Sequence, residues 1–177
     1  MNEYNFALHL KLSCIQTDPS IYEDRLFEAG CDDALLGIGQ QGYLGLNFIR
    51  TANNGVEAIT TAIEDIKTVI PDCELYYISP DVVGMTEIAT FMQCSVENIL
   101  KLKNARSDIF PFPINSDSKF LNWHLAEVLK WYQKQGNNVD LALLEVAEFA
   151  MQFNLEKQNQ NINSDPDLKL KARALVS

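Results

Sequence analysis

The side chains able to do acid–base, nucleophilic or metal chemistry are few in this chain, and they are scattered. Its two histidines, His9 and His124, lie far apart, and neither has a nucleophile or metal-binding residue close by in sequence. A solvated imidazole is the expectation for both. The four cysteines, Cys14, Cys31, Cys73 and Cys94, form no CxxC pair and no Cys/His cluster. That pattern argues against structural zinc and fits reduced thiols. The carboxylate pairs Asp32-Asp33 and Glu64-Asp65 fall at a helix exit and on an exposed helix face, where solvation accounts for them. Gly37-Ile38-Gly39-Gln40-Gln41-Gly42 has the form GxGxxG. Pyrophosphate binding needs a helix to follow such a loop, so that backbone amides meet the phosphates. Tyr43–Ile49 reads as a strand instead, so the glycines are expected to turn a hairpin. No catalytic residue, cofactor or metal is expected, and the chain does not read as an enzyme.

Recognition chemistry is better represented, in the segment Val83-Gly-Met-Thr-Glu-Ile-Ala-Thr-Phe-Met-Gln-Cys-Ser-Val-Glu-Asn-Ile-Leu100. It has the parts of two short helices joined by a tight turn. Ala89 is small enough for a helix crossing, Gln93-Cys94 makes the turn, and Ser95 caps the second helix. Ile88, Met92, Val96 and Ile99 are expected to fill the wedge between them. The outward residues of the second helix, Glu97, Asn98, Lys101 and Asn104, then face a DNA major groove. Glu97 opposes phosphate and could at best accept from a cytosine amino group. Gln93 stands where such turns commonly carry glycine.

The elements around this segment follow from periodicity. Asn5–Leu12 alternates apolar and polar residues as a half-buried strand does. A helix opens at Asp18-Pro19-Ser20 and ends at Gly30. Strands over Ala34–Ile38 and Tyr43–Arg50 follow, then a helix from Gly55 to Ile70 and a strand over Cys73–Ser79. The order βαββαβ predicts an α+β domain of ferredoxin-like type over residues 1–80, with both helices on one sheet face. Helical segments are expected over Val83–Met92 and Ser95–Ala105. The prolines of Phe110-Pro-Phe-Pro-Ile114 force extended chain, and Lys119–Trp123 is expected to return beside it as a hairpin. Leu125–Tyr132 resumes helix, completing a unit over residues 81–135. Tyr76, Tyr77, Phe91, Trp123 and Trp131 read as core or sheet-face residues. A final helix from Val139 to Leu155, within residues 136–156, has apolar residues on more than one stripe, and residues 157–177 read as a flexible tail. Surplus apolar surface on one helix points to two neighbours or to a partner chain, most simply a homodimer.

Composition bounds the function classes. The formal net charge is −10, which speaks against unselective binding of nucleic acid. Residues 1–81 carry 4 basic and 13 acidic side chains, whereas residues 82–132 carry 5 of each. A DNA-facing surface therefore belongs to the second half, and the acidic first half is a candidate for docking a protein partner. No apolar run approaches the roughly 20 residues of a membrane span. With no cleavage signal near Met1, a cytoplasmic location is expected.

The segment 83–100, together with Phe110-Pro-Phe-Pro-Ile114, Trp123 and Glu127-Val-Leu-Lys-Trp131, resembles the winged helix-turn-helix of bacterial MerR-type regulators and phage excisionase-type proteins. The likeness covers about residues 5–132, because the chain also looks like bacterial DNA-binding proteins that carry a small α/β domain in front of this module. The resemblance implies sequence-specific binding of double-stranded DNA by a transcriptional or mobile-element regulator. Ser95, Asn98, Lys101, Lys103 and Asn104 would offer groove and phosphate contacts, and Arg106 and Lys119 would hold the backbone near the wing. Excisionase-type recognition helices often begin Ser-Arg where this one begins Ser95-Val96-Glu97. The alternative is a protein-binding adaptor or neutralising subunit, such as an antitoxin or a defence-complex component, that uses the winged helix for protein contacts.

Overall fold

The computed structural model describes residues 1–14, 16–37, 40–105, 110–115, 120–161 and 166–175. It is mixed α/β. Four antiparallel strands, β1 (Asn2–Lys11), β2 (Ala34–Gly37), β3 (Tyr43–Ala52) and β4 (Glu74–Ser79), form one sheet in the order β2-β3-β1-β4. Between them lie a 3-10 turn at Pro19–Tyr22, α1 (Glu23–Glu28) and α2 (Gly55–Val69). Alternation along the strands decides which face is covered. On β1 and β3, Tyr4, Phe6, Leu8, Leu10, Leu44, Leu46 and Phe48 turn into the core, while Asn5, Asn47, Ile49 and Thr51 stay exposed. β2 and β3 pair antiparallel, Gly37 opposite Gly45, and the chain after Gly42 is strand β3, as expected, and not a helix.

Both helices expected in this region form at the expected signals. Asp18 accepts from the Ser20 amide at 3.0 Å, and Gly30 ends the run at φ +104°. At α2 the Asn54 side chain accepts from the Glu57 amide while Glu57 Oε2 accepts from the Asn53 amide, both at 2.8 Å, a reciprocal cap. Arg50 is buried on the covered face. Its guanidinium donates to both oxygens of Asp33 at 2.8 and 3.0 Å, to Asp65 Oδ2 at 2.8 Å and to the Gly30 carbonyl at 2.7 Å. Asp33 and Asp65 are thus ion-pair partners of one buried cation, not merely solvated carboxylates.

The second part of the chain contains β5 (Val82–Gly84), α3 (Met85–Phe91), α4 (Val96–Ala105), β6 (Asn122–His124) and α5 (Leu125–Lys134). Val83 and Gly84 belong to a strand, not to the helix expected there, which starts at Met85. The reason is β6: Val82, Val83 and Gly84 pair with His124, Trp123 and Asn122. The segment returning through Trp123 therefore ladders with β5. It is joined to the extended proline-rich arm by a backbone bond from the Ile114 amide to the Asn122 carbonyl at 2.8 Å, and by the Asn122 amide donating to Asn115 Oδ1 at 2.9 Å.

The last long helix, α6 (Leu141–Asn161), holds the two parts together. Val146 and Ala150 join the core under the sheet, while Leu144, Ala147 and Met151 join the core around Trp123 and Trp131. Both apolar stripes are buried within the chain, so nothing in α6 requires a second copy. Asn154, 2% exposed, seals the junction. Its amide meets the Ile78 N–H and C=O at 2.9 and 2.8 Å and donates to Asp81 Oδ2 at 2.8 Å. Gly55 lies where α2 meets α6, and a Cβ there would come within 3.0 Å of Glu145. Residues expected to form a flexible tail are helical, as the end of α6 and as α7 (Pro166–Ala174), although no residue of α7 is buried.

Candidate nucleic-acid interface

The α3–α4 pair is built from the residues that the sequence singles out. Ile88, Ala89 and Ile99 are buried and Met92 and Val96 half-buried, so the small Ala89 and its apolar neighbours form the wedge between the helices. The turn closes through the Cys94 amide, which donates to the Ala89 carbonyl at 2.9 Å. Gln93 adopts φ +51°, the left-handed conformation that glycine takes without a Cβ penalty. A Gln there stores strain of roughly 1–2 kcal/mol. Gln93→Gly is therefore expected to raise stability by about 0.5–1 kcal/mol, after the added freedom of the unfolded chain is subtracted. A higher urea midpoint checks this, and a lower one would contradict it.

Ser95 caps α4, with its Oγ accepting from the Asn98 amide at 3.3 Å. That bond assigns the hydroxyl a structural task before any contact with a ligand. Asn98, Lys101 and Asn104 are exposed on α4, as expected. Lys103 is not fully outward: its Nζ lies 5.1 Å from the Trp123 ring centroid, a cation–π contact that draws it toward the core. Arg106 and Lys119 lie outside the described residues. Glu97 is exposed, and hydrogen bonds from its own amide and from Ser95 hold its carboxyl below the usual carboxylate range. The carboxylate therefore serves the positive end of its own helix, and a phosphate approaching that end would have to compete with it.

Behind α4 stands an aromatic support. Phe110 packs edge-on against Trp123 and Trp131, at centroid distances of 5.9 and 4.9 Å. The Trp123 indole donates to the Pro111 carbonyl at 3.0 Å, which explains how the proline-rich arm is anchored. Sequence reasoning missed the partner of His124: its Nδ1 lies 2.6 Å from Oδ1 of the buried Asp81. Asp81 also accepts from Asn154, so His124 belongs to the junction and is not a freely solvated ring. His9 likewise has a partner, Ser79 Oγ at 3.2 Å, and burial lowers its pKa. Neither contact was legible in sequence, because each joins residues 43 or 70 positions apart.

All four cysteines are free, and among the described residues no three His, Cys, Asp or Glu side chains are grouped to hold a metal ion. No helix among the described residues is long and apolar enough to cross a membrane. Comparison with protein-family models, with curated proteins and with solved structures finds no match to the chain.

Proposed function

We propose that this chain is a sequence-specific double-stranded-DNA-binding protein, a regulator of transcription or of a mobile element, that presents α4 to the major groove. The observation that carries the reading is the α3–turn–α4 unit. Its wedge is apolar, its turn passes through a left-handed Gln93, and its second helix leaves Asn98, Lys101 and Asn104 free to meet base edges and phosphates. The β5–β6 pair and the proline-rich arm beside α5 support a winged form of that unit. The sheet order β4-β1-β3-β2, with helices on one face, supports a ferredoxin-like reading of the first part. Lys101 is the leading phosphate or guanine contact, and Asn98 suits adenine. In this reading the acidic first part keeps nonspecific DNA at a distance, leaving recognition to α4.

Enrichment of duplexes from a random library tests the proposal. The chain is expected to enrich a defined motif, and Asn98→Ala is expected to relax discrimination at one position by about 1–3 kcal/mol. Enrichment of no motif would count against the reading. The protein-binding alternative is favoured by one observation, Leu100, which is exposed beside Glu97 on the same helix and suits a protein surface better than a groove.

A further inference from the structure

The uncovered face of the sheet does not open onto bulk solvent along its whole length. Where it meets α3, the two parts of the chain enclose a cleft of about 830 Å³. That size lies within the roughly 300–1,000 Å³ of small-molecule sites, and junctions between folded units are where such sites are common. One wall is Leu35 of β2 and Ile49 of β3, and the other includes Val82 of β5 and Phe91 of α3. All four are exposed, so apolar area left in water by four separate elements converges on a single concavity. Asn5 and Asn47 supply exposed amides within the same wall.

Charge restricts what the cleft can take. Asp32, Asp33, Asp81 and Glu87 line it, and no Lys, Arg or His is among its described lining residues. Of these acids, Asp33 is paired with Arg50, and Asp81 faces His124. Glu87 caps the Gly84 amide at 2.8 Å. An anionic guest would meet four carboxylates and no cation within the cleft, whereas a neutral or amine-bearing guest meets apolar walls and hydrogen-bonding amides.

We infer that this cleft is a binding site for a small, largely apolar organic molecule that carries no acidic group. Its occupant would touch Phe91, so the site is continuous with the first helix of the helix-turn-helix, yet its existence does not depend on DNA binding. The test uses the full chain and two fluorescent probes of the same shape, 1-anilinonaphthalene and its 8-sulfonate. The neutral probe is expected to bind saturably, and at least about tenfold more tightly than the sulfonate. The double variant Ile49→Ser/Phe91→Ala, made at surface positions, is expected to weaken the neutral probe by about tenfold or more. Ile21→Ser, at an exposed apolar residue outside the cleft, is expected to leave binding unchanged. The inference is overturned by absent binding, by equal affinity for the two probes, or by a double variant that binds as the parent does. Light scattering adds a further outcome: a dimer that the double variant dissolves would make the cleft a self-association surface and overturn the ligand assignment.

Discussion

Arg50→Ala is expected to lower the stability of the chain by about 3 kcal/mol, near the bottom of the range for breaking a buried ion pair. The guanidinium is buried, with its side chain 9% exposed, and removing it strands two carboxylates and the Gly30 carbonyl. The lower end of the range applies because the Asp33 and Asp65 side chains keep 27% and 33% exposure, so water compensates part of the loss. Arg50 also rests on Phe48, its guanidinium carbon 5.0 Å from the ring centroid, and that packing disappears too. Arg50→Lys keeps a charge but not the fork that serves two aspartates at once, so it is expected to fall between parent and alanine. Urea denaturation reads the series. An alanine variant with the parent's midpoint would mean that solvation of Asp33 and Asp65 balances the cluster.

Trp131→Ala is expected to cost about 3–5 kcal/mol, as truncation of a large core aromatic does. Trp131 is 6% exposed, and Phe110, which holds the proline-rich arm against both tryptophans, would lose its neighbour. The indole Nε1 of Trp131 is buried and has no hydrogen-bond partner among the described residues. Trp131→Phe removes that unsatisfied donor while keeping most of the ring, so it is expected to cost less than half as much as alanine. Thermal melting of the two variants tests both statements. A Trp131→Ala protein that melts like the parent but loses its partner would make this residue part of an interface instead.

The sequence made the local structure legible wherever one signal governs one element. Strand alternation placed the covered face of β1, the helix expected from Gly55 starts there as α2, and Gly30 ended α1. The α3–α4 wedge was legible for the same reason, since small, apolar and capping residues recur at helical spacing. What escaped was set by distant pairing. Val83 and Gly84 looked like the start of a helix because their strand partner, β6, lies some forty residues further on. Asp33 and Asp65 looked like separate solvated carboxylates until the fold brought both onto the Arg50 guanidinium. The double-sided character of α6 was readable in its two stripes, but not which surfaces they would meet. Both stripes pack within the chain, and Asn154, near the end of the expected helix, is the hydrogen-bonded plug of the junction. Of the residues assigned to DNA, Asn98, Lys101 and Asn104 lie together on the exposed face of α4. Ser95 and Lys103 are drawn toward structural tasks by the cap and by Trp123, contacts that spacing alone does not reveal.

The proposal that α4 binds DNA is tested most directly by equilibrium binding of the full chain to a duplex across a salt series, using an enriched sequence or the DNA upstream of its own gene. Saturable binding is expected at low salt, with the logarithm of the association constant falling linearly against the logarithm of salt concentration. With Lys101 and Lys103 as the basic residues of α4, the slope is expected to be shallow, about −2. Lys101→Glu should weaken binding several-fold and flatten that slope by about one unit. No saturable binding at low salt, or binding whose strength and slope are the same in the folded Lys101→Glu variant, would contradict the account and leave the exposed face of α4 to a protein partner.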